Sequence, residues 1–195
     1  MPNSKSSPES LPDTSVVPYT LTVYLAVPAA THAFGQQLGA TIPAGQIVAL
    51  TGDLGAGKTT LAQGIAAGLG ITGRVTSPTF TLINQYNPGT RNLLLVHIDT
   101  YRLGEGATSA EAEAANLGLD EIFADAAQPD SHSNGAVVVI EWAERIADLL
   151  PANTLYITLI TDSANPNARH ATLTTTNPEV AKLFPLFDTG NQKPI

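Results

Sequence analysis

The sequence predicts an α/β fold built on a mixed, partly parallel sheet, flanked by helices and carrying antiparallel additions. Three observations lead there. Two strand–loop–helix units recur, at 46–69 and 136–150, and units of that kind lay their strands parallel. Two pairs of alternating, β-rich runs, within 79–99 and 155–176, read as antiparallel hairpins. The chain has 195 residues, 43% of them hydrophobic, which suits one domain with a substantial core.

The elements follow in order. Residues 1–18 hold four prolines and five serines and little to bury, which predicts a disordered tail. Residues 187–195, with Gly190 and Pro194, read as a flexible tail, leaving 19–186 as a single domain. In Tyr19–Val27, Thr20, Thr22 and Tyr24 alternate with Leu21, Val23 and Leu25, the period of a strand. Thr31–Gly39 reads as a short helix with Thr31 as its N-cap. Gln46–Thr51 is a buried strand running into a glycine-rich loop, and Lys58–Leu69 has helical spacing and closes at Gly70. Thr79–Tyr86 and Asn92–Asp99 are strand-like, joined by a turn around Pro88 and Gly89. Ser109–Ala126 is helical in two pieces broken at Gly118, and 127–135 is a polar loop. Ala136–Ile140 is wholly apolar, hence a central strand, and Glu141–Leu150 reads as a helix stopped by Pro151. Leu155–Thr161 and His170–Thr176 pair as a terminal hairpin.

Composition removes several function classes. Cysteine is absent, which excludes thiol nucleophiles, cysteine-ligated zinc and a disulfide scaffold. Seventeen acids against nine Lys and Arg leave a net charge of −8, which argues against primary DNA or RNA binding, since that needs clustered cations to displace counterions. All of that net charge lies between Asp99 and Asp148, where 11 acids face only Arg102 and Arg145, and the remainder of the chain is net +1. Such a run is a solvated acidic face, or it serves a divalent cation or a basic partner. No stretch has the ~20 apolar residues of a membrane span. The segment 16–30 lacks the basic start and unbroken apolar helix of a signal peptide, so a cytoplasmic protein is expected.

The loop after the first buried strand carries the chemistry. Gly52-Asp53-Leu54-Gly55-Ala56-Gly57-Lys58-Thr59 fits G-x-x-x-x-G-K-[ST] in full, and it sits between a strand pattern and a helix pattern. Glycines let the backbone turn its N–H groups toward phosphate oxygens, and the following helix adds the positive end of its dipole. Residues Asp53 to Thr60 therefore form a nucleotide-binding loop, in which Lys58 reaches the β- and γ-phosphates and Thr59 offers a hydroxyl to Mg²⁺. The fold class sharpens accordingly to a P-loop NTPase core. An acid at the end of an apolar strand should hold the metal, and two qualify: Asp99 after LLLVHI and Glu141 after VVVI. His97 shares a strand face with Asp99 and reads either as its metal partner or as a core histidine with a polar neighbour. The guanine-reading N-K-x-D run is absent, which favours ATP. Arg74 and Arg102 lie near the relevant loops, as a finger or as surface residues.

Four blocks stand in order: GDLGAGKTT at 52–60, SPTF at 77–80, HIDTYRL at 97–103 and EW at 141–142. This combination, spanning about Thr31 to Pro151, resembles the TsaE family of small ATPases in bacterial tRNA threonylcarbamoyladenosine biosynthesis. The resemblance implies a P-loop core with a mixed sheet that binds ATP and Mg²⁺ and hydrolyses ATP slowly by itself. It implies association with a TsaB–TsaD complex, which modifies adenosine 37 of ANN-decoding tRNAs, so that tRNA is met only through partners. It assigns Lys58, Asp99 and Glu141 to catalysis, and Thr59, Asp99 and Glu141 to the metal. Thr79 is placed as a sensor of γ-phosphate or metal, Trp142 near the nucleotide, and Thr31 on the adenine side or as a helix cap. The tails and the Gln128–Gly135 loop extend beyond the family's compact core. Two other functions compete. A small-molecule kinase would ordinarily carry a basic lid, and no Lys or Arg occurs from Gly104 to Ile140. A nucleotide-gated binding module would bind ATP without significant hydrolysis.

Overall fold

The computed structural model describes residues 17–130 and 132–188. A seven-stranded sheet organises them. In chain order the elements are β1 (Tyr19–Leu25), α1 (Pro28–Thr41), β2 (Ile47–Thr51), α2 (Lys58–Gly68), β3 (Ile83–Tyr86), β4 (Leu94–Asp99), α3 (Ala110–Asn116), α4 (Leu119–Asp125) and β5 (Ala136–Glu141). A 3-10 helix (Ala143–Leu149), β6 (Leu155–Thr161), β7 (Arg169–Thr175), α5 (Pro178–Ala181) and α6 (Phe184–Phe187) complete them. The sheet order is β1-β7-β6-β2-β5-β4-β3. β6, β2, β5 and β4 are parallel neighbours, while β1 on β7, β7 on β6 and β3 on β4 are antiparallel. The mixed α/β architecture is the one the sequence predicts, with its parallel strands at the centre.

Burial explains that placement. All six residues of β5 are buried, as a strand covered on both faces requires, and its VVVI run could not sit at a solvated edge. One face packs against α1 and α2, with Leu38, Leu61 and Ile65 fully buried beneath β2 and β5. The other is covered by α3, α4 and the 3-10 helix, around Ile98, Leu119, Ile140 and Ile146. α1 and α2 touch backbone to backbone. A β-carbon at Gly35, Gly39, Gly64 or Gly68 would lie 2.1–2.5 Å from a carbonyl oxygen of the facing helix, so no side chain fits there. That crossing locks the helix of the phosphate loop to α1.

Several predicted boundaries move. α1 begins at Pro28, with extended Val27 as the cap, because proline's fixed φ suits the first helical position. Thr31 is therefore inside the helix and buried, and is not its N-cap. The strand expected from Thr79 starts only at Ile83. Leu82 adopts φ 63° and donates its N–H to Pro78 O at 2.6 Å, closing a turn over 77–82. The helix expected over Glu141–Leu150 is a 3-10 helix broken at Ile146, and Glu141 itself ends β5. Trp142 there takes φ 60° and swings the chain off the sheet. The break at Gly118 is present, with Gly118 at φ 69° capping α4. Phe187, at the start of the expected flexible tail, is 1% exposed and packs edge-on against Phe34, 5.4 Å between ring centres. Residues 1–16 and 189–195 of the two expected tails lie outside the described residues.

Candidate functional site

The C-terminal ends of β2, β5 and β4 bring the motif blocks together. Gly52, Gly55 and Gly57 take φ values of 130°, 78° and 102°, a left-handed run that side-chain-bearing residues avoid. Gly52 also passes so close to β6 that a β-carbon would lie 2.3 Å from Leu159 O. α2 then starts at Lys58 with no side chain capping its N-terminus, which leaves its first N–H groups for an anion.

Lys58 is buried, and its Nζ donates to Gly52 O and to Asp53 O at 3.0 Å. The ammonium also lies 3.5 Å from the centre of the Trp142 ring, a cation–π contact. Burial pushes the Lys58 pKa below its ordinary 10.5, against the opposing pull of Glu141, Glu144, Asp99 and Asp53. Among the described residues Lys58 is in no ion pair, so its charge rests on carbonyls and a ring face.

Thr59 donates its hydroxyl to Glu141 Oε2 at 2.8 Å, linking the phosphate loop to the end of β5. The other oxygen of Glu141 lies 2.9 Å from Nε2 of His97, which is fully buried. Nδ1 of His97 has no hydrogen-bond partner among the described residues, so Glu141 is what holds the ring. Asp99 stands directly across from Glu141 in the β4–β5 register. Its Oδ2 accepts from Ser77 Oγ at 2.8 Å and Thr79 Oγ1 at 2.6 Å, and its Oδ1 from the Tyr101 N–H at 2.9 Å. His97 is thus bonded to Glu141 on the neighbouring strand, and Asp99 to the 77–79 loop; the two do not pair.

The structure places the remaining predicted residues around this centre. Trp142 stacks on Tyr101 with ring centres 4.9 Å apart, and Arg145, 5.5 Å from the Tyr101 ring centre, donates to Leu103 O at 2.9 Å. Thr31 faces Gly57 and joins Pro28, Gly55, Thr60, Asn167 and Arg169 in lining a cleft beside the loop. Ala56 is buried, whereas Asp53 and Leu54 are exposed, Leu54 to 84%. Arg74 is exposed, and Arg102 stacks 4.5 Å over Phe80, itself 83% exposed.

One participant carries no motif at all. Arg169 opens β7, 113 residues beyond Ala56, and donates Nε–H to Ala56 O at 2.8 Å and Nη2–H to Gly55 O at 3.0 Å. Among the described residues no three His, Asp or Glu side chains converge as a protein-only metal cage. No helix there is long and apolar enough to cross a membrane.

Comparisons with known proteins place the chain in a family. The family model described as "Threonylcarbamoyl adenosine biosynthesis protein TsaE" matches residues 25–171. A Bacillus subtilis protein named tRNA threonylcarbamoyladenosine biosynthesis protein TsaE is 43% identical over 132 residues, 68% of this chain and 72% of its own. A Nostoc protein of the same name is 38% identical over 162 residues, 83% of this chain and 90% of its own. The crystal structure of Bacillus subtilis YdiB superposes with a TM-score of 0.67 at 32% identity, covering 88% of this chain and 96% of that one. The family match reaches beyond the motif blocks at both ends.

Proposed function

The chain belongs to the TsaE family of tRNA threonylcarbamoyladenosine biosynthesis proteins, and from that premise we propose that it binds ATP with Mg²⁺ and hydrolyses it while acting on a TsaB–TsaD complex. The observation that supports this reading is the Thr59–Glu141 hydrogen bond beside Lys58, at the uncapped start of α2. It sets a hydroxyl, a carboxylate and an ammonium around the place where a loop of this type holds β- and γ-phosphates.

The donor set fits magnesium. Hydroxyl and carboxylate oxygens are hard ligands, and Mg²⁺ commonly takes one or two carboxylates, with phosphate and water completing its shell. Thr59 and Glu141 would hold it, with Asp99 across the strand pair as the second acid; bound there, it would neutralise charge on the phosphates. The chain's own groups do the rest. The loop amides and Lys58 bind the phosphates, Lys58 exchanging its backbone carbonyls for them. His97 holds the Glu141 carboxylate in orientation. Thr79, released from Asp99, is positioned to report on the γ-phosphate or metal. The Thr31 cleft beside the loop takes the nucleoside end.

The test is multiple-turnover threonylcarbamoyladenosine formation by TsaB–TsaD, run with and without this chain and with ATP turnover followed in parallel. Product is expected to continue past the first turnover only when the chain and hydrolysable ATP are both present. ATP turnover indifferent to TsaB–TsaD, with phosphate passed to a metabolite, would mark a kinase. ATP binding without turnover would mark a gated binding module.

A further inference from the structure

Arg169 lies outside every motif, yet its guanidinium is committed to backbone. Besides Ala56 O and Gly55 O, its Nη1 donates to Pro166 O at 2.7 Å and Ala168 O at 2.8 Å. None of the ion pairs among the described residues involves it, so a cation is held beside the phosphate loop without a carboxylate to cancel it. Its backbone is fixed, opposite Leu25 on β1 and Thr161 on β6.

A loop that turns its amides toward an anion must turn carbonyls the other way, and those carbonyls need donors. A β-carbon at Gly55 would meet nothing within 4 Å, unlike one at Gly52 or Gly57. The Gly55 and Ala56 oxygens nevertheless have a planar, two-pronged donor on a rigid strand. Arginine supplies that geometry and lysine does not. From these contacts we infer that Arg169 is a positioning residue that braces the phosphate loop in its anion-binding form from the antiparallel flank of the sheet. The inference rests on the nucleotide-binding reading above. It makes the β6–β7 turn part of the phosphate site.

The experiment compares wild type, Arg169→Gln and Arg169→Lys by millisecond hydrogen exchange without nucleotide, by thermal unfolding, and by ATP titration. In folded Arg169→Gln, the Gly55, Gly57 and Lys58 amides should exchange roughly tenfold faster, and ATP affinity should fall roughly tenfold, with Arg169→Lys between the two. The unfolding midpoint should move by only a few degrees. Unchanged exchange at those amides overturns the brace, whatever the affinity does. Faster exchange with unchanged ATP affinity also overturns it, because the contact would then be structural alone. If Arg169→Gln does not fold, Arg169→Lys is read against wild type on the same terms. Wild-type protein that fails to bind ATP would instead refute the nucleotide reading, and the exchange data would still decide the brace.

Discussion

Glu141 and Asp99 end neighbouring parallel strands and face one another in register, yet they are tied to different parts of the molecule. Glu141 closes a strand buried along its whole length, with the phosphate-loop helix on one oxygen and fully buried His97 on the other. Asp99 accepts two hydroxyls from the 77–79 loop, whose next residue, Phe80, stands 83% exposed. The two acids differ little in their own exposure, 2% for Asp99 and 3% for Glu141. What differs is what each would release. Freeing Glu141 strands buried His97, whereas freeing Asp99 loosens a surface loop. The first arrangement fixes its acid in the core, and the second ties its acid to a loop at the surface.

Lys58→Met should have the largest effect, because Lys58 serves both halves. ATP affinity should fall about 100-fold, the loss of a charged contact to phosphate, measured by calorimetry. Stability of the nucleotide-free protein should not fall with it. Burial holds the Lys58 pKa below 10.5, so the folded state pays for the ammonium at any pH below that lowered value. The penalty is relieved as pH rises toward 10.5, and the stability gap between mutant and wild type should narrow over that range.

The comparison itself is tested by removing each acid. Glu141→Ala should cost about 2–3 kcal/mol in urea unfolding, since it leaves fully buried His97 without an acceptor. Asp99→Ala should cost only about 1 kcal/mol, because Ser77 and Thr79 can turn to water. Its larger signature should be faster hydrogen exchange over 77–82. Equal losses for the two variants would break the contrast drawn here. Thr79→Val should be smallest, at about 0.5–1 kcal/mol, with exchange again raised only in the 77–82 turn.

Much of this was legible in the chain. The G-x-x-x-x-G-K-T run, the apolar 136–140 strand and the two strand-end acids are local patterns, and the structure sets each where its pattern indicates. The 77–82 turn was not legible. Its threonines have strand propensity, but Thr79 spends its hydroxyl on Asp99, 20 residues away, and the backbone turns instead. The pairing of His97 with Glu141 was hidden for a similar reason. Two residues apart on one strand point to a shared face, while the partner stands on an adjacent strand reached through α3 and α4. The glycines of α1 and α2 lower helix propensity one by one, and their value shows only when two backbones cross.

By itself the sequence determined most of the elements, though not all their bounds, together with the phosphate loop, the acids at the strand ends and the family, because each depends on residues close together in the chain or on their order along it. Only the tertiary structure decided which acid meets Thr59, what holds Lys58, and that Arg169 reaches the loop carbonyls from 113 residues beyond Ala56. Hydrogen bonds between distant segments obey distance and angle in space, and sequence spacing does not encode either.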